Sequence, residues 1–240
     1  MKKAIVIGSS SGIGRALAKV LASEGYAVGL TGRRLELMEA LRSELPTQSY
    51  VRQMDLLRPE ESRLGLRELI REMGVVDLIV INSGVGHSDP DWAQEGEIIG
   101  VNVMGFAAVA NQAMEHFVER GSGHIVGITS ISALRGLAAA YSSSKAFAAT
   151  YLEALRLKAD KLNADICVTD VKPGYVETPM TSGRDDMFWV ASADTAARQI
   201  YAAIRKKRRH VYVTRRWRLV AWLMKSLPYP VLARLSRSGR

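Results

Sequence analysis

Short, continuous apolar runs alternate with longer helical segments along this chain. Because most of these runs lack the apolar–polar alternation of a half-exposed strand, they predict strands buried on both faces, as in a parallel sheet covered by helices. The predicted strands are residues 4–7, 27–31, 49–54, 78–81, 124–129, 166–171 and 210–213. The predicted helices are residues 13–23, 35–45, 59–73, 98–119, 139–161 and 193–206. The alternation predicts a doubly wound α/β fold, with a parallel sheet of about seven strands flanked by helices.

The positive charge of the chain is concentrated at its C-terminal end. The 240 residues carry a formal net charge of +9, from 33 Lys and Arg against 24 Asp and Glu. Twelve of the basic residues and none of the acidic ones lie in residues 205–240, which leaves residues 1–204 with 21 basic and 24 acidic side chains. A body with a net charge of −3 argues against nucleic acid as a partner. We therefore predict one domain over residues 1–214, followed by a basic amphipathic extension over residues 215–240.

Residues that form disulfides or bind metals are scarce. Cys167 is the only cysteine, so an intrachain disulfide is impossible and a reducing, cytoplasmic setting is the simpler expectation. The four histidines are scattered without other ligands at metal-binding spacing, and no metal site is predicted. The apolar run at 4–7 ends at Gly8 and indicates a first strand rather than a signal peptide. The run at 219–224 is too short to span a bilayer.

A glycine-rich turn follows the first predicted strand and leads directly into a helix. In this position glycines permit a tight turn and a close approach of the backbone to a pyrophosphate, which the N–H groups at the start of the helix would bind. The arrangement is typical of the dinucleotide site of a Rossmann-type fold. The candidate residues are Gly8, Ser10, Ser11, Gly12, Ile13 and Gly14.

The end of the second predicted strand is where the adenosine ribose would be contacted. An Asp or Glu there would select NAD, but residues 31–34 read Thr-Gly-Arg-Arg and no acidic residue occurs before Glu36. Guanidinium groups without a carboxylate favour a 2′-phosphate. We therefore predict NADP(H) as the cofactor, with Arg33 as the main phosphate ligand and Arg34 or Arg15 assisting.

Tyr141 and Lys145 are four residues apart in a predicted helix, so they share one face. A free phenol has a pKa of about 10, and a nearby cation favours the phenolate and lowers that pKa. The spacing alone is compatible with a catalytic acid–base pair and equally with an accidental pair of helical neighbours.

Further motifs follow the predicted strand ends in a fixed order. They are the glycine turn at 8–14, Asn82-Ser83-Gly84, Asn102, Ser130, Tyr141-x-x-x-Lys145 and Pro173-Gly174-Tyr175-Val176-x-Thr178. In this order, over residues 4–214, the set resembles the short-chain dehydrogenase/reductase family. The resemblance implies an oxidoreductase in which a hydride moves between nicotinamide and a carbonyl carbon, while the protein supplies position and a proton.

The resemblance also implies roles for four catalytic side chains. Ser130 would hydrogen-bond the substrate carbonyl and stabilise negative charge on its oxygen. Tyr141 would donate the proton in reduction or accept it in oxidation. Lys145 would bind the nicotinamide ribose hydroxyls and hold down the pKa of the tyrosine, and Asn102 would position a water that links the site to solvent.

Cofactor contacts at the other strand ends are implied in the same way. Asp55 would accept a hydrogen bond from the adenine amino group. Beside the adenosine ribose the chain would pass at Asn82, Ser83 and Gly84. The nicotinamide half would be contacted by Tyr141, Lys145, Pro173, Gly174, Val176 and Thr178.

Two departures from the family pattern concern the loops of the site. The usual Asn-Asn-Ala-Gly is Ile-Asn-Ser-Gly at residues 81–84, which removes one polar side chain but keeps the glycine. The interval from Ser130 to Tyr141 is a residue or two shorter than is common, which would shorten the loop bordering the substrate. Ser132 is a neighbouring hydroxyl that would assist or substitute there.

Two predicted helices are apolar around most of their circumference, at 106–114 and 146–157. One face of a sheet does not bury that much apolar surface, so we expect the extra face to contact another subunit in a homodimer or homotetramer. The alternative is a deeper core in a monomer.

A long irregular stretch covers residues 178–192, and we refer to it as the 178–192 loop. A loop of this length inside a compact domain indicates a lid or a binding loop. It mixes Asp185 and Asp186 with Met180, Met187, Phe188 and Trp189. These apolar side chains favour a hydrophobic substrate, or else only pack the loop against the body.

The basic extension contains an amphipathic pattern. A helix over 217–227 would place on one broad face Trp217, Leu219, Val220, Leu223, Met224 and Leu227. Arg218 and Lys225 would lie on the other side, with Trp222 between them. Such a helix is typical of a membrane interface with anionic lipid. The alternative is a helix folded over the substrate cleft or against a partner subunit.

The sequence therefore predicts an NADP(H)-dependent oxidoreductase acting on a ketone or secondary alcohol, with an apolar substrate. Its predicted location is the cytoplasm, peripheral on the inner face of the membrane. The competing prediction is a non-catalytic NADP(H)-binding sensor or scaffold protein whose tail binds a membrane or a partner. The complete set of Ser130, Tyr141, Lys145 and Asn102 argues against that alternative, because a binding role needs no proton donor.

Overall fold

A computed structural model of the chain describes residues 1–184, 187–231 and 234. Asp185 and Asp186 of the 178–192 loop lie outside the described residues, as do 232–233 and 235–240 of the basic extension.

The described strands form one seven-stranded parallel sheet and one short parallel pair. They are β1 (Lys3–Ile7), β2 (Ala27–Gly32), β3 (Ser49–Gln53), β4 (Leu78–Ile81), β5 (Ser122–Ile128), β6 (Asp165–Pro173), β7 (Val176–Glu177), β8 (Ala191–Ser192) and β9 (His210–Val213). The order across the large sheet is β3-β2-β1-β4-β5-β6-β9, and β7 pairs with β8. The predicted doubly wound sheet is confirmed, whereas the β7–β8 pair was not anticipated because each strand is only two residues long.

Helices connect these strands and cover both faces of the sheet. The α-helices with bounds in the structure are α1 (Gly12–Ser23), α2 (Leu35–Glu44), α3 (Pro59–Met73), α4 (Trp92–Ile99), α5 (Phe106–Arg120), α6 (Ala139–Lys161), α7 (Ala193–Arg205) and α8 (Trp217–Ser226). The sheet and these helices agree with the predicted class, in which each parallel strand is followed by a helical crossover.

The predicted helix at 98–119 is wrong at its start and in its continuity. The structure has α4, a π-helical segment at Gly100–Gly105, and then α5. A capping box starts α4 early: Asp91 Oδ1 accepts the Gln94 N–H at 2.8 Å, and Gln94 Oε1 accepts the Asp91 N–H at 3.1 Å. Apolar periodicity does not reveal this start, because the cap is made by polar side chains.

The apolar runs of the strands supply two cores, one on each face of the sheet. In β1, Ile5 and Ile7 face the core under α3, α5 and α6, while Ala4 and Val6 face the core under α1, α2 and α7. Each of these four side chains is buried. The uninterrupted run therefore reflects a strand with two covered faces.

A third, smaller cluster lies beside the carboxyl ends of β6 and β9. Trp217 and Ala221 of α8 are buried there against Ile131. Partly buried neighbours complete it: Leu134, Tyr175, Tyr212, Val220 and Met224. Of the helices in the described residues, none combines the length and apolarity that a bilayer span requires.

The buried His124 of β5 makes the stability of the fold depend on pH. Its Nε2 lies 2.8 Å from Oγ1 of Thr169 on β6. Burial, and then the charge of Lys207, lowers the pKa of His124 to about 4. An unfolded histidine has a pKa of about 6.5, so between these values the unfolded state binds the proton more readily. The free energy of unfolding is therefore expected to fall by about 3 kcal/mol as the pH decreases from about 6.5 to 4, and to be fully retained above 6.5.

Denaturant unfolding of the wild type and of His124→Gln across this pH range measures that contribution. The substitution removes the titrating ring, so the variant is expected to lose less stability on acidification than the wild type. Identical slopes for His124→Gln and the wild type would show that His124 does not carry the effect.

Candidate active site

The carboxyl ends of the central strands border a cavity of about 550 Å³. In an open parallel sheet this is where ligands bind, next to the point at which the strand order reverses. The sequence-predicted residues that line it are Gly8, Ser10, Ser11, Gly12, Ile13, Arg33, Arg34, Asp55, Asn82, Ser83, Gly84, Ser130, Tyr141, Lys145, Pro173, Gly174, Val176 and Thr178. Gly14 and Asn102 do not line the cavity but lie directly behind it, as described below.

The glycine turn is folded back against the neighbouring strands. Gly8 has a φ of +89°, and Asn82 Nδ2 donates to its carbonyl at 2.7 Å. A Cβ on Gly14 would lie 2.0 Å from the Gly8 carbonyl oxygen, so the helix can start this close only without a side chain there. The first N–H groups of α1 have no partner within the helix and face the cavity end where a pyrophosphate would lie.

Arg34, rather than Arg33, is held against the start of α1. Arg34 Nη2 donates to Ser10 Oγ and to Ser11 Oγ, both at 2.8 Å. Arg33 instead pairs with Glu97 of α4 at 3.1 Å. The geometry therefore favours Arg34 as the phosphate ligand, whereas the sequence favoured Arg33. The local motif does not reveal the ion pair of Arg33, because Glu97 lies 64 positions away in the chain.

Glu97 joins two segments at this end of the cavity. Its Oε2 lies 2.9 Å from His87 Nε2, and its Oε1 accepts from Arg33. The hydrogen bond from His87, followed by the contacts with Arg33, lowers the pKa of the Glu97 carboxyl. Arg15, the third predicted cation, pairs with Glu44 of α2 and is not directed to the serines.

At the other end of the cavity, Ser130, Tyr141 and Lys145 lie together. Ser130 follows β5, and its Oγ accepts the N–H of Ser132 at 3.1 Å. Ser132 lies in a one-turn 3-10 helix at Ile131–Leu134 and supports the site through its backbone N–H. Ser132 is not among the residues that line the cavity. The Ser130 hydroxyl acts on the nearby Tyr141 phenol and lowers its pKa.

The surroundings of Tyr141 and Lys145 differ from what their spacing suggested. Burial raises the pKa of Tyr141, opposed by its hydrogen bond to Ser130 and by the charge of Arg184. Burial also lowers the pKa of Lys145 to about 8. Lys145 Nζ donates to the Ile128 carbonyl at 3.2 Å and lies 5.8 Å from the centre of the Tyr141 ring. The ammonium of Lys145 thus faces the Tyr141 ring and the Ile128 carbonyl. The structure does not show the predicted lowering of the Tyr141 pKa by Lys145.

Asn102 fixes the loop after β4. It lies in the π-helical segment, its Nδ2 donates to the Val85 carbonyl at 2.8 Å, and its Oδ1 accepts the Val85 N–H at 2.9 Å. Nδ2 also contacts Ser144 Oγ of α6 at 3.1 Å. A Cβ on Gly84 would lie 2.9 Å from Lys145 Nζ and 3.2 Å from Asn102 Oδ1, so the glycine lets both side chains approach the loop.

The 178–192 loop divides its apolar side chains between two places. Met180 lines the cavity together with Thr181, a residue that sequence reasoning missed. Phe188 and Trp189 instead pack on Trp217 of α8, with ring centres 5.1 and 6.2 Å apart. These aromatic rings therefore fix the loop to α8, whereas Met180 faces the cavity.

Other lining residues carried no sequence signal. They are Gly32, Met54, Leu56, Val85, Val101, Ile128, Thr129 and Pro179. They contribute backbone or apolar surface, and their position in the cavity wall follows from strand ends and loops that meet only in the folded chain. Among the described residues, no group of three or more His, Cys, Asp or Glu side chains is placed to hold a metal ion.

Gly14→Ala tests the close approach at the glycine turn. The added Cβ would clash with the Gly8 carbonyl and with Asn82 Nδ2, so we expect a loss of about 2 kcal/mol in the free energy of unfolding and weaker nucleotide binding. Urea unfolding and a fluorescence titration with NADPH measure the two effects. Gly96→Ala is the matched control, because no heavy atom outside its own helix lies within 4 Å of its Cβ position. Wild-type stability and affinity in Gly14→Ala would contradict this account of the turn.

Comparison with known proteins agrees with this geometry. The family model for short chain dehydrogenase matches residues 2–188. An uncharacterized oxidoreductase of Myxococcus xanthus is 38% identical over 190 residues, which cover 75% of this chain and 74% of the relative.

Solved structures show the same fold. A short-chain dehydrogenase from Sphingobium yanoikuyae in complex with NADPH has a TM-score of 0.79 at 22% identity, covering 95% of this chain and 97% of that one. A 3-ketoacyl-(acyl-carrier-protein) reductase from Brucella melitensis complexed with NADH has a TM-score of 0.77 at 23% identity, covering 88% and 96%. The match of the family model over most of the chain, together with the Myxococcus relative, shows that the chain belongs to the short-chain dehydrogenase/reductase family of oxidoreductases.

Proposed function

We propose that the protein is an NADP(H)-dependent oxidoreductase that interconverts an apolar ketone and the corresponding secondary alcohol. One observation carries the proposal: a single cavity joins the Ser130–Tyr141–Lys145 group at one end to the glycine turn and Arg34 at the other. A single cavity with a phosphate-binding end and a proton-donating end suits a dinucleotide whose nicotinamide lies beside the Tyr141 phenol.

The residues of the cavity fit NADP(H). At Gly12 and Gly14 the chain has no side chain beside the first N–H groups of α1, which would bind a pyrophosphate. Ser10, Ser11 and the Arg34 guanidinium supply two hydroxyls and a cation at the position where a 2′-phosphate would lie. Asp55 lines the cavity on the adenine side, and Lys145 lies where the nicotinamide ribose would be. When bound, the cofactor supplies or accepts the hydride.

Ser130 and Tyr141 are the groups that would meet the substrate oxygen. The Ser132 N–H holds Ser130 Oγ in place, and both the Ser130 and the Tyr141 side chains line the same end of the cavity. Both can therefore donate to one carbonyl oxygen, which stabilises the negative charge that develops on it during reduction. Because burial raises the pKa of Tyr141, the phenol is protonated at neutral pH and suited to give its proton to the alkoxide.

Lys145 and Asn102 hold this arrangement. At neutral pH the Lys145 ammonium is charged, because its lowered pKa of about 8 still lies above that pH. Its bond to the Ile128 carbonyl fixes the charge between the end of β5 and the phenol. Asn102 occupies both backbone groups of Val85 and thereby positions the loop that borders the cavity.

An apolar substrate is supported by the wall of the cavity beyond the phenol. Met180 faces it from the 178–192 loop, and its sulfur lies 3.8 Å from the Cβ position of Gly86. Gly86 leaves room for the edge of the Tyr141 ring, at 3.0 Å from the same position. A flexible thioether next to the phenol accommodates apolar groups of varied shape.

We also propose a homo-oligomer, a dimer or tetramer, in the cytoplasm. Exposed apolar side chains on the helices that flank one side of the sheet support it: Met104, Phe147 and Leu157. Burial of such side chains between subunits is favourable, whereas their exposure in a monomer is not. The cytoplasmic setting is supported by the single, unpaired Cys167.

Tyr141→Phe tests the catalytic assignment. The substitution removes the proton donor and leaves the ring, so kcat for reduction of apolar ketones should fall by at least about 100-fold while NADPH still binds. NADPH oxidation with a panel of carbonyl compounds measures turnover, and fluorescence titration measures binding. Tyr151→Phe, on the same helix but in contact with Phe106 and Phe147 instead of the cavity, is the matched control. Retention of most activity in Tyr141→Phe would overturn the assignment of Tyr141 as the proton donor. Absence of turnover in the wild type with every carbonyl compound of the panel would favour the non-catalytic sensor or scaffold alternative.

Arg34→Gln tests the cofactor preference. Loss of the cation removes a charge-assisted contact of about 2 kcal/mol, so kcat/KM for NADPH should fall about 30-fold with little change for NADH. Arg33→Gln is the comparison, and the ion pair of Arg33 with Glu97 predicts a smaller effect. Equal kcat/KM values for the two cofactors in the wild type would overturn the NADP(H) proposal.

A further inference from the structure

One face of α8 fixes the helix to the body of the protein. Trp217 and Ala221 are buried on this face. The Trp217 ring lies against Gly174, where a Cβ would be 1.9 Å from Cε2, and packs on Tyr175 with ring centres 5.5 Å apart. Arg135 binds the other end of the helix, donating from Nε to the Met224 carbonyl at 2.6 Å. The inward face alone therefore anchors α8 at both ends.

The opposite face of α8 is apolar as well, and it is exposed. Trp222 is 72% exposed, Leu219 69%, and Leu223 is also exposed. Residues three and four apart share a helical face, so these three side chains form one stripe. The broad apolar face expected from the sequence is thus divided: Trp217, Val220 and Met224 turn inward, and Leu219 and Leu223 turn outward with Trp222.

Cations flank the exposed stripe. Arg215, Arg218 and Lys225 are all exposed. Within the described residues, none of the three forms an ion pair with a carboxylate. The sequence contains no Asp or Glu from residue 195 to 240, so the whole segment carries positive charge alone.

The exposed surface continues into the 178–192 loop. Phe188, Trp189 and Val190 are each partly exposed beside α8. The guanidinium of Arg216 lies 5.4 Å from the centre of the Trp189 ring, which joins the start of α8 to the loop. The same loop carries Met180 into the wall of the cavity.

We propose that the outward face of α8 docks on the surface of a bilayer containing anionic phospholipid. Leu219, Trp222 and Leu223 enter the interface between headgroups and acyl chains, and Arg218 and Lys225 meet the lipid phosphates. Tryptophan and leucine on one stripe with cations along its edge is the composition that binds in the plane of such an interface. Long basic side chains extend from the apolar stripe to the phosphates.

The charge distribution disfavours the other occupants of this surface. A second copy of the chain in a twofold contact would bring the same stripe and the same cations face to face, with no carboxylate to separate them. A nucleic acid would place its phosphates against Leu219, Trp222 and Leu223 at the centre of the surface, where none of the three side chains is charged.

Docking in this orientation sets the position of the substrate cleft relative to the bilayer surface. Because α8 and the 178–192 loop pack on each other, the loop side of the cavity is held close to the lipid surface. Resting on the proposed function, this favours an apolar carbonyl compound dissolved in the membrane as the substrate class.

Vesicle flotation of the full chain tests the docking without relying on activity. The wild type should float with vesicles of equal parts phosphatidylcholine and phosphatidylglycerol, and less with phosphatidylcholine alone. Leu219→Ser combined with Trp222→Ser should weaken binding to the mixed vesicles about tenfold or more. Trp92→Ser, at a tryptophan that is 80% exposed on α4, is the matched control and should float like the wild type.

Charge variants and the oligomeric state complete the test. Arg218→Gln and Lys225→Gln should each weaken binding to the mixed vesicles by about fivefold, with no change in NADPH binding or thermal stability. Failure of the wild type to float with mixed vesicles, or equal flotation of the wild type and the Leu219/Trp222 variant, would overturn the proposal. Sedimentation velocity in which that variant alone dissociates into monomers would assign the face to contacts between copies and would also overturn it. None of these outcomes bears on Tyr141 turnover, so the docking and the proposed reaction fail separately.

Discussion

The parallel sheet imposes the constraint on which the rest of the structure depends. Its backbone N–H and C=O groups are hydrogen-bonded from strand to strand, and helices cover both of its faces. Because all seven strands are parallel, their carboxyl ends lie along the same edge of the sheet. Asn82 and Ser130 follow β4 and β5, and Pro173 is the last residue of β6; these three strands are neighbours in the sheet. Residues dispersed over ninety positions thus meet in one cavity wall. The residues at the ends of these strands therefore supply the polar groups of this cavity wall.

Burial decides how the groups at the catalytic end behave. The same desolvation raises the pKa of Tyr141 and lowers that of Lys145, so each neutral form is favoured relative to water. The hydrogen bond from Ser130 to Tyr141 opposes this effect on the phenol. A protein that kept both groups in solvent would leave the phenol no partner but water, and would give the substrate oxygen no fixed donors.

The C-terminal helix links the cavity to the surface of the molecule. Trp217 fills the space beside Gly174, at the loop that would flank the nicotinamide, while Arg135, from the segment after Ser130, holds the far end of α8. Both segments that border the substrate end are thereby supported by one helix. The exposed stripe lies on the opposite face of the same helix.

The sequence by itself determined the parallel sheet, the glycine turn and the shared helical face of Tyr141 and Lys145, because each depends on local periodicity or on spacing within one element. The place of Ser130 beside them was implied only by the resemblance to the short-chain dehydrogenase/reductase family. The sequence also determined that the positive charge lies at the C-terminal end, since that follows from composition alone. Only the tertiary structure decided that Arg34 faces the serines while Arg33 pairs with Glu97, and that Phe188 and Trp189 pack on α8 while Met180 faces the cavity. It likewise divided the apolar residues of α8 between an inward and an outward face. These outcomes depend on contacts between residues far apart in the chain, where several partners compete for one side chain and packing selects among them.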